Sequence, residues 1–183
     1  KQYLMMPTYR AIGGIVRSNF IGDRLPSDFT TGFVGGVLAD IKVNGPTELE
    51  TGLLFSQFGG RRPDAEAGVT TSATVSFLAL PILAKQNLDL YNQQAFIKGG
   101  VVAMTRLNAT GRVAFYGKEA SGDISDLVRQ ESVNAEIGAG LKLPVTNGTF
   151  TAEATYDLGL SNTAVQGKSI YNQAFALSTG FLF

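Results

Sequence analysis

The chain has 183 residues, a length that suits one domain over 1–183, and its 15 basic and 15 acidic residues cancel. That balance removes the electrostatic case for nucleic acid, and the absence of Cys removes disulfide frameworks and thiolate metal sites. Charged residues make up 16% of the chain, against roughly 25% in soluble domains, yet the longest apolar run, 77–84, contains Pro81 and falls far short of the roughly 20 residues a membrane helix needs.

Period-2 alternation recurs about eight times along the chain. It predicts strands over 8–18, 31–43, 47–57, 69–80, 95–107, 132–143, 149–158 and 172–183. A single short helical candidate lies at 123–130, between the fifth and sixth strands. Asn44-Gly45-Pro46 and 144–148 read as tight turns, and 81–94 as a longer connection. The segments 20–30, 58–68, 108–131 and 159–171 read as long polar loops. Short turns at one end and long loops at the other are the pattern of an outer-membrane barrel, whose long loops lie outside the cell.

The two faces of these strands differ in chemistry. One face reads Phe33, Val37, Ala39, Ile41, Val43 and Leu49, Thr51, Leu53, Phe55, then Val69, Ala73, Val75, Phe77, Ala79 and Ile97, Val101, Ala103. It continues with Val133, Ala135, Ile137, Leu141, Leu143 and Phe150, Ala152, Ala154, Tyr156, Leu158. Tyr9, Ala11, Gly13 and Ile15 join it from the first strand, with Arg17 near the rim. The other face carries Arg10, Asp40, Lys42, Glu48, Glu50, Lys98, Arg106, Glu136, Lys142, Glu153 and Asp157 among many Gly and Ser.

A soluble lipocalin-like barrel puts the apolar face inside, whereas a membrane barrel puts it in lipid. Three features favour lipid. The polar face is mostly small residues, as the narrow interior of an eight-stranded barrel demands. Its five basic and six acidic residues nearly balance, as an enclosed space requires, since a lone buried charge costs several kcal/mol. The apolar face carries Phe33, Phe55, Phe150 and Phe183 near strand ends, where interfacial aromatic girdles lie. The expected fold is an all-β, eight-stranded, antiparallel up-and-down transmembrane barrel with its interior filled by polar side chains. Lys42 and Glu48 flank the first tight turn and are expected to face each other, as are Asp40 and Glu50, with Arg10 the candidate cation for that acidic pair.

The last strand alternates Phe175, Leu177, Thr179, Phe181, Phe183 against smaller residues and resembles the closing strand of bacterial outer-membrane barrels. Phe181 and Phe183 are then the candidate signal for the barrel-assembly machinery. The sequence opens on Lys1 with no visible export signal, so a mature, exported form in the outer membrane is expected. Phe33-Val34-Gly35-Gly36-Val37, Glu50 before Gly52-Leu53-Leu54-Phe55-Ser56, Leu80-Pro81, Glu136-Ile137-Gly138-Ala139-Gly140, Tyr156 to Asn162 and Ser178 to Phe183 together resemble the PorT-like outer membrane β-barrel domain family. Thr155 departs from it, standing where such proteins often carry Arg before the Tyr, which bears on one interior salt bridge. The resemblance implies fold and location and leaves the biochemical role open.

The chain has no His, which removes Ser-His-Asp catalysis and most imidazole metal sites. Gly138-Ala139-Gly140 lacks the following helix that a phosphate loop needs, so these are strand glycines. No catalytic residue, metal site or cofactor is expected. Loops on rigid scaffolds concentrate binding residues, so Arg61, Arg62, Arg112, Phe115, Tyr116, Asp123 and Asp126 are the candidates for contact with a surface partner, lipopolysaccharide or a cation. The expected role is structural or surface-interacting, in contact with the lipid bilayer; a narrow channel and a soluble binder of apolar ligands are the alternatives.

Overall fold

The computed structural model describes residues 6–22, 27–64, 68–91, 93–164 and 169–183. Nine strands form one antiparallel sheet: β1 Thr8–Gly22, β2 Asp28–Asn44, β3 Thr47–Asp64, β4 Val69–Leu90, β5 Gln93–Phe115, β6 Lys118–Asp123, β7 Glu131–Val145, β8 Gly148–Gly159 and β9 Ile170–Leu182. Neighbours in sequence pair throughout, except that β5 pairs with both β6 and β7, and β9 returns to β1 from Arg10↔Leu182 to Gly22↔Ile170. Eight strands therefore close a ring, while β6 stands on the outer end of β5. Closure leaves no unpaired strand edge in hydrocarbon. No helix among the described residues is long and apolar enough to cross a membrane, so the crossing is made by strands.

Asn44 to Thr47, Leu90 to Gln93 and Val145 to Gly148 are short connections at one end, and Gly45 supplies the left-handed residue (φ 54°) for the first. The segment 81–94 is not a loop: β4 runs on to Leu90 and β5 starts at Gln93. Proline lacks an N–H for the ladder, so Pro81 interrupts the strand pattern in the sequence. The structure accommodates it where the β3–β4 ladder lapses, between Thr51↔Ile82 and Leu54↔Ala79. Gly52 stands in the same gap, and a Cβ there would lie 2.2 Å from the Val37 carbonyl oxygen. Much of the predicted long loops is also strand, since β1, β3 and β5 reach Gly22, Asp64 and Phe115. These extensions mix Gly, Asn and Arg with apolar residues such as Phe20, Phe58 and Val113, which blurs the alternation that marks a half-buried strand. The helical candidate shrinks to one 3-10 turn, Ser125–Leu127. Parts of the predicted loops at 23–26, 65–67 and 165–168 lie outside the described residues.

The lipid-facing surface is apolar: Ile15, Phe33, Val37, Leu53, Ile97, Ile137 and Leu177 are all exposed. Phe33 stacks on Phe55 with centroids 5.2 Å apart, and Phe150 meets Phe181 edge-on at 5.0 Å. In β4 the expected faces are reversed. Val75, Phe77 and Ala79 are buried in the lumen, and Leu78, Leu80 and Ile82 face outward. The strand is apolar on both sides, so alternation carried no sign there, and Ser72 and Ser76 pointed the wrong way.

The lumen is layered and only partly polar. Toward the short-turn end it holds charges. Toward the long-loop end Val16, Phe58, Val75, Phe77, Leu83, Val102 and Met104 form one buried apolar cluster. The β7 and β9 wall beside that cluster carries buried Ser132, Asn134 and Asn172 instead.

Candidate functional site: the charged lumen and the outer rim

Inward positions of seven strands converge on one ion-pair network. Glu50 of β3 is its hub and is fully buried; it meets Arg10 of β1 at 2.5 Å, Lys98 of β5 at 2.8 Å and Lys85 of β4 at 3.4 Å. Arg10 also reaches Glu153 of β8 at 2.8 Å and donates to the Thr151 hydroxyl at 3.1 Å. Lys98 joins Glu153 at 3.2 Å and Glu136 of β7 at 3.3 Å. Lys85 meets Asp40 of β2 at 2.7 Å and Glu48 at 3.8 Å, and Lys142 meets Glu48 at 3.6 Å. The Phe96 ring lies beneath Lys85, 4.7 Å from its Nζ.

The register faces Asp40 with Glu50 and Lys42 with Glu48. Arg10 serves Glu50, whereas Asp40 takes Lys85, a residue absent from the candidates because it fell in the supposed 81–94 loop. The signal for it was the odd-numbered inward series running from Phe77 to Lys85. Two other candidates sit outside the network. Lys42 is exposed at the short-turn rim, and Glu48 turns to Lys85 and Lys142 instead. Arg106 lies at the opposite end, where its guanidinium donates to the Ser125 carbonyl oxygen and its N–H donates to the Gln130 carbonyl at 2.7 Å. It anchors the outer turn. Asp157 is buried and pairs in register with Glu136 on the neighbouring strand.

Below the apolar layer, between it and the charges, a cavity of about 40 Å³ remains, room for roughly three waters at about 10–15 Å³ each. Replacing Arg10 with Ala strips Glu50 and Glu153 of one cation, which for a buried pair costs about 3–5 kcal/mol. Arg61→Ala, at an exposed position, is expected within about 0.5 kcal/mol of the parent. Urea unfolding in lipid vesicles measures both, and equal losses would remove the network from the stability of the barrel.

At the outer rim, Arg61 and Arg62 are exposed near the end of β3. Tyr116 (φ 43°) and Gly117 (φ 78°) make the two-residue turn from β5 to β6, the backbone pattern that suits a strand hairpin. Phe115 and Tyr116 meet edge-on at 4.6 Å on its tip, and Arg112 pairs with Glu119 at 3.6 Å across the hairpin, both side chains exposed. The Asp123 carboxylate accepts the Ser125 N–H at 2.8 Å, and its hydrogen bonds to Ser125 hold it below the usual carboxylate range. Asp126 lies in the 3-10 turn, and no cluster of three metal-ligating side chains occurs among the described residues.

A closed eight-stranded ring, apolar outside and ion-paired within, is the architecture of a transmembrane barrel. The family model described as outer membrane protein beta-barrel domain matches residues 13–165, and the chain belongs to that family, a protein of the bacterial outer membrane. Among solved structures it is similar in fold to Neisserial surface protein A, at 10% identity over 96% of this chain and 97% of that one, with a TM-score of 0.55. It is similar too to Ail, the attachment invasion locus protein of Yersinia pestis, in complex with the heparin analogue sucrose octasulfate, at 14% identity over 97% of this chain and all of that one, with a TM-score of 0.51. At these identities the likeness is one of fold. Comparison with curated proteins finds no match.

Proposed function

We propose that this barrel is a non-enzymatic, non-conducting outer-membrane protein that works through its outer rim. The filled lumen carries the reading: an ion-paired layer and an apolar layer succeed each other across it and leave about 40 Å³ between them. In planar bilayers the purified barrel is expected to give no stable conductance steps; such steps would reject the closed lumen and favour a narrow channel. The lack of any His supports a non-catalytic role. The short motifs shared with PorT-like barrels support that narrower kinship, and Phe181 and Phe183 are the residues proposed to engage the assembly machinery.

The partner proposed for the rim is lipopolysaccharide, met through its phosphates. Arg61, Arg62 and Arg112 are all exposed there, beside the aromatic tip of Phe115 and Tyr116. Arginine forks suit phosphate, and Ail, of similar fold, has been captured with a sulfated sugar. The double variant R61E/R112E is expected to lose most retained lipopolysaccharide while still inserting into vesicles. Undiminished retention would reject this partner.

A further inference from the structure

The long-loop mouth contains a second feature, which shares only Arg62 with the rim residues just described. Above the apolar lumen layer lies an open cavity of about 330 Å³, at the lower end of the roughly 300–1,000 Å³ range of small-molecule sites. Phe20, Val75, Ile124, Leu127, Val128 and Ile170 supply its apolar walls. The local structure builds these walls deliberately. Two outer segments are joined by the Val128↔Ala164 bridge and by the Arg129 N–H donating to the Thr163 carbonyl at 2.8 Å. On the other side Gly60 lets Phe20 lie against β3, since a Cβ at Gly60 would stand 2.7 Å from its ring.

Two polar groups define what the cavity takes. Thr163 is 5% exposed and its hydroxyl has no hydrogen-bond partner, although its backbone N–H donates to the Ile170 carbonyl and its own carbonyl is used by Arg129. A buried hydroxyl left unpaired is costly, so this one is suited to a ligand or water in the cavity. Arg62 is the one charged residue among the described lining residues. We propose that the mouth of the barrel binds an acyl chain bearing an anionic head, the chain among the apolar walls and the head toward Arg62. The chemistry is shared by a free medium-chain fatty acid and by the chain of an anionic lipid.

The test uses the full chain in nanodiscs, with empty nanodiscs as the blank. Radiolabelled decanoate in equilibrium dialysis is expected to bind saturably at one per barrel. Ala73→Trp, which fills the cavity from β4, is expected to abolish binding in protein that still shows the unheated gel mobility of a folded barrel. Arg62→Gln, at an exposed position and safe for folding, is expected to weaken decanoate about tenfold, the equivalent of about 1.4 kcal/mol, and leave decanol unchanged. If decanoate fails but native mass spectrometry finds one anionic lipid per barrel, lost in the Arg62→Gln protein, the ligand is lipid-borne. No saturable binding and no lipid adduct, or binding indifferent to both substitutions, would overturn the proposal. Because the readout is a ligand inside the mouth, it stands or falls separately from lipopolysaccharide retention by Arg61 and Arg112.

Discussion

Lys98→Met is expected to destabilise the folded barrel by about 3–5 kcal/mol, the cost of leaving buried charges without their partner. Lys98 is the cation shared by Glu50, Glu136 and Glu153, all within 3.3 Å of its Nζ. The lumen network holds six carboxylates (Asp40, Glu48, Glu50, Glu136, Glu153, Asp157) against four cations (Arg10, Lys85, Lys98, Lys142), a formal excess of two negative charges. Removing Lys98 deepens that excess to three. Glu50→Gln moves it the other way and keeps the side-chain shape, so it is expected to cost less, although Glu50 touches three cations. Urea unfolding in vesicles, followed by gel mobility, orders the two variants. A Glu50→Gln loss larger than that of Lys98→Met would mean that local contacts outweigh the charge imbalance.

The second large effect is in β4, where the sequence alone does not show which side faces lipid. Phe77 is 1% exposed and meets Phe58 at a centroid distance of 5.8 Å, so Phe77→Ala is expected to cost about 3–5 kcal/mol. Leu78 faces outward at 42% exposure, and Leu78→Arg is expected to cost about 2–4 kcal/mol if it lies near the bilayer midplane. With the faces reversed, Leu78→Arg would place a cation beside a negatively charged lumen and Phe77→Ala would only thin the lipid contact. Near-neutral results for both would therefore restore the orientation that alternation suggests.

The barrel was legible because lipid and lumen impose opposite chemistry on alternate residues. Seven of the eight barrel strands carry that contrast plainly, as in Glu136 between Ala135 and Ile137, or Asp157 between Tyr156 and Leu158. In β4 the inward side is itself apolar, because Val75, Phe77 and Leu83 build the upper lumen layer, and the contrast vanishes. Lys85 would have restored it, but Pro81 ended the predicted strand at residue 80, five residues short of Lys85. The charged residues of the lumen were largely visible as inward positions, while their pairing was not. Which carboxylate Lys85 or Arg10 reaches depends on how the ring closes, since Arg10 and Glu153 are 143 residues apart in sequence. Arg106 shows the same limit: its inward parity is correct in kind, but its level along the axis puts it beside Ser125 and away from the charges. The mouth cavity was invisible for a stronger reason, since its walls come from five separate segments, none with a pattern of its own.

Gel mobility in SDS with and without boiling, on protein extracted from membranes, tests the closed barrel with its apolar face in lipid. The unboiled protein is expected to migrate as a compact species that shifts on boiling, and to stay in solution only with detergent. A protein that is monodisperse without detergent and shows no shift would contradict it, and would place the apolar face on the inside.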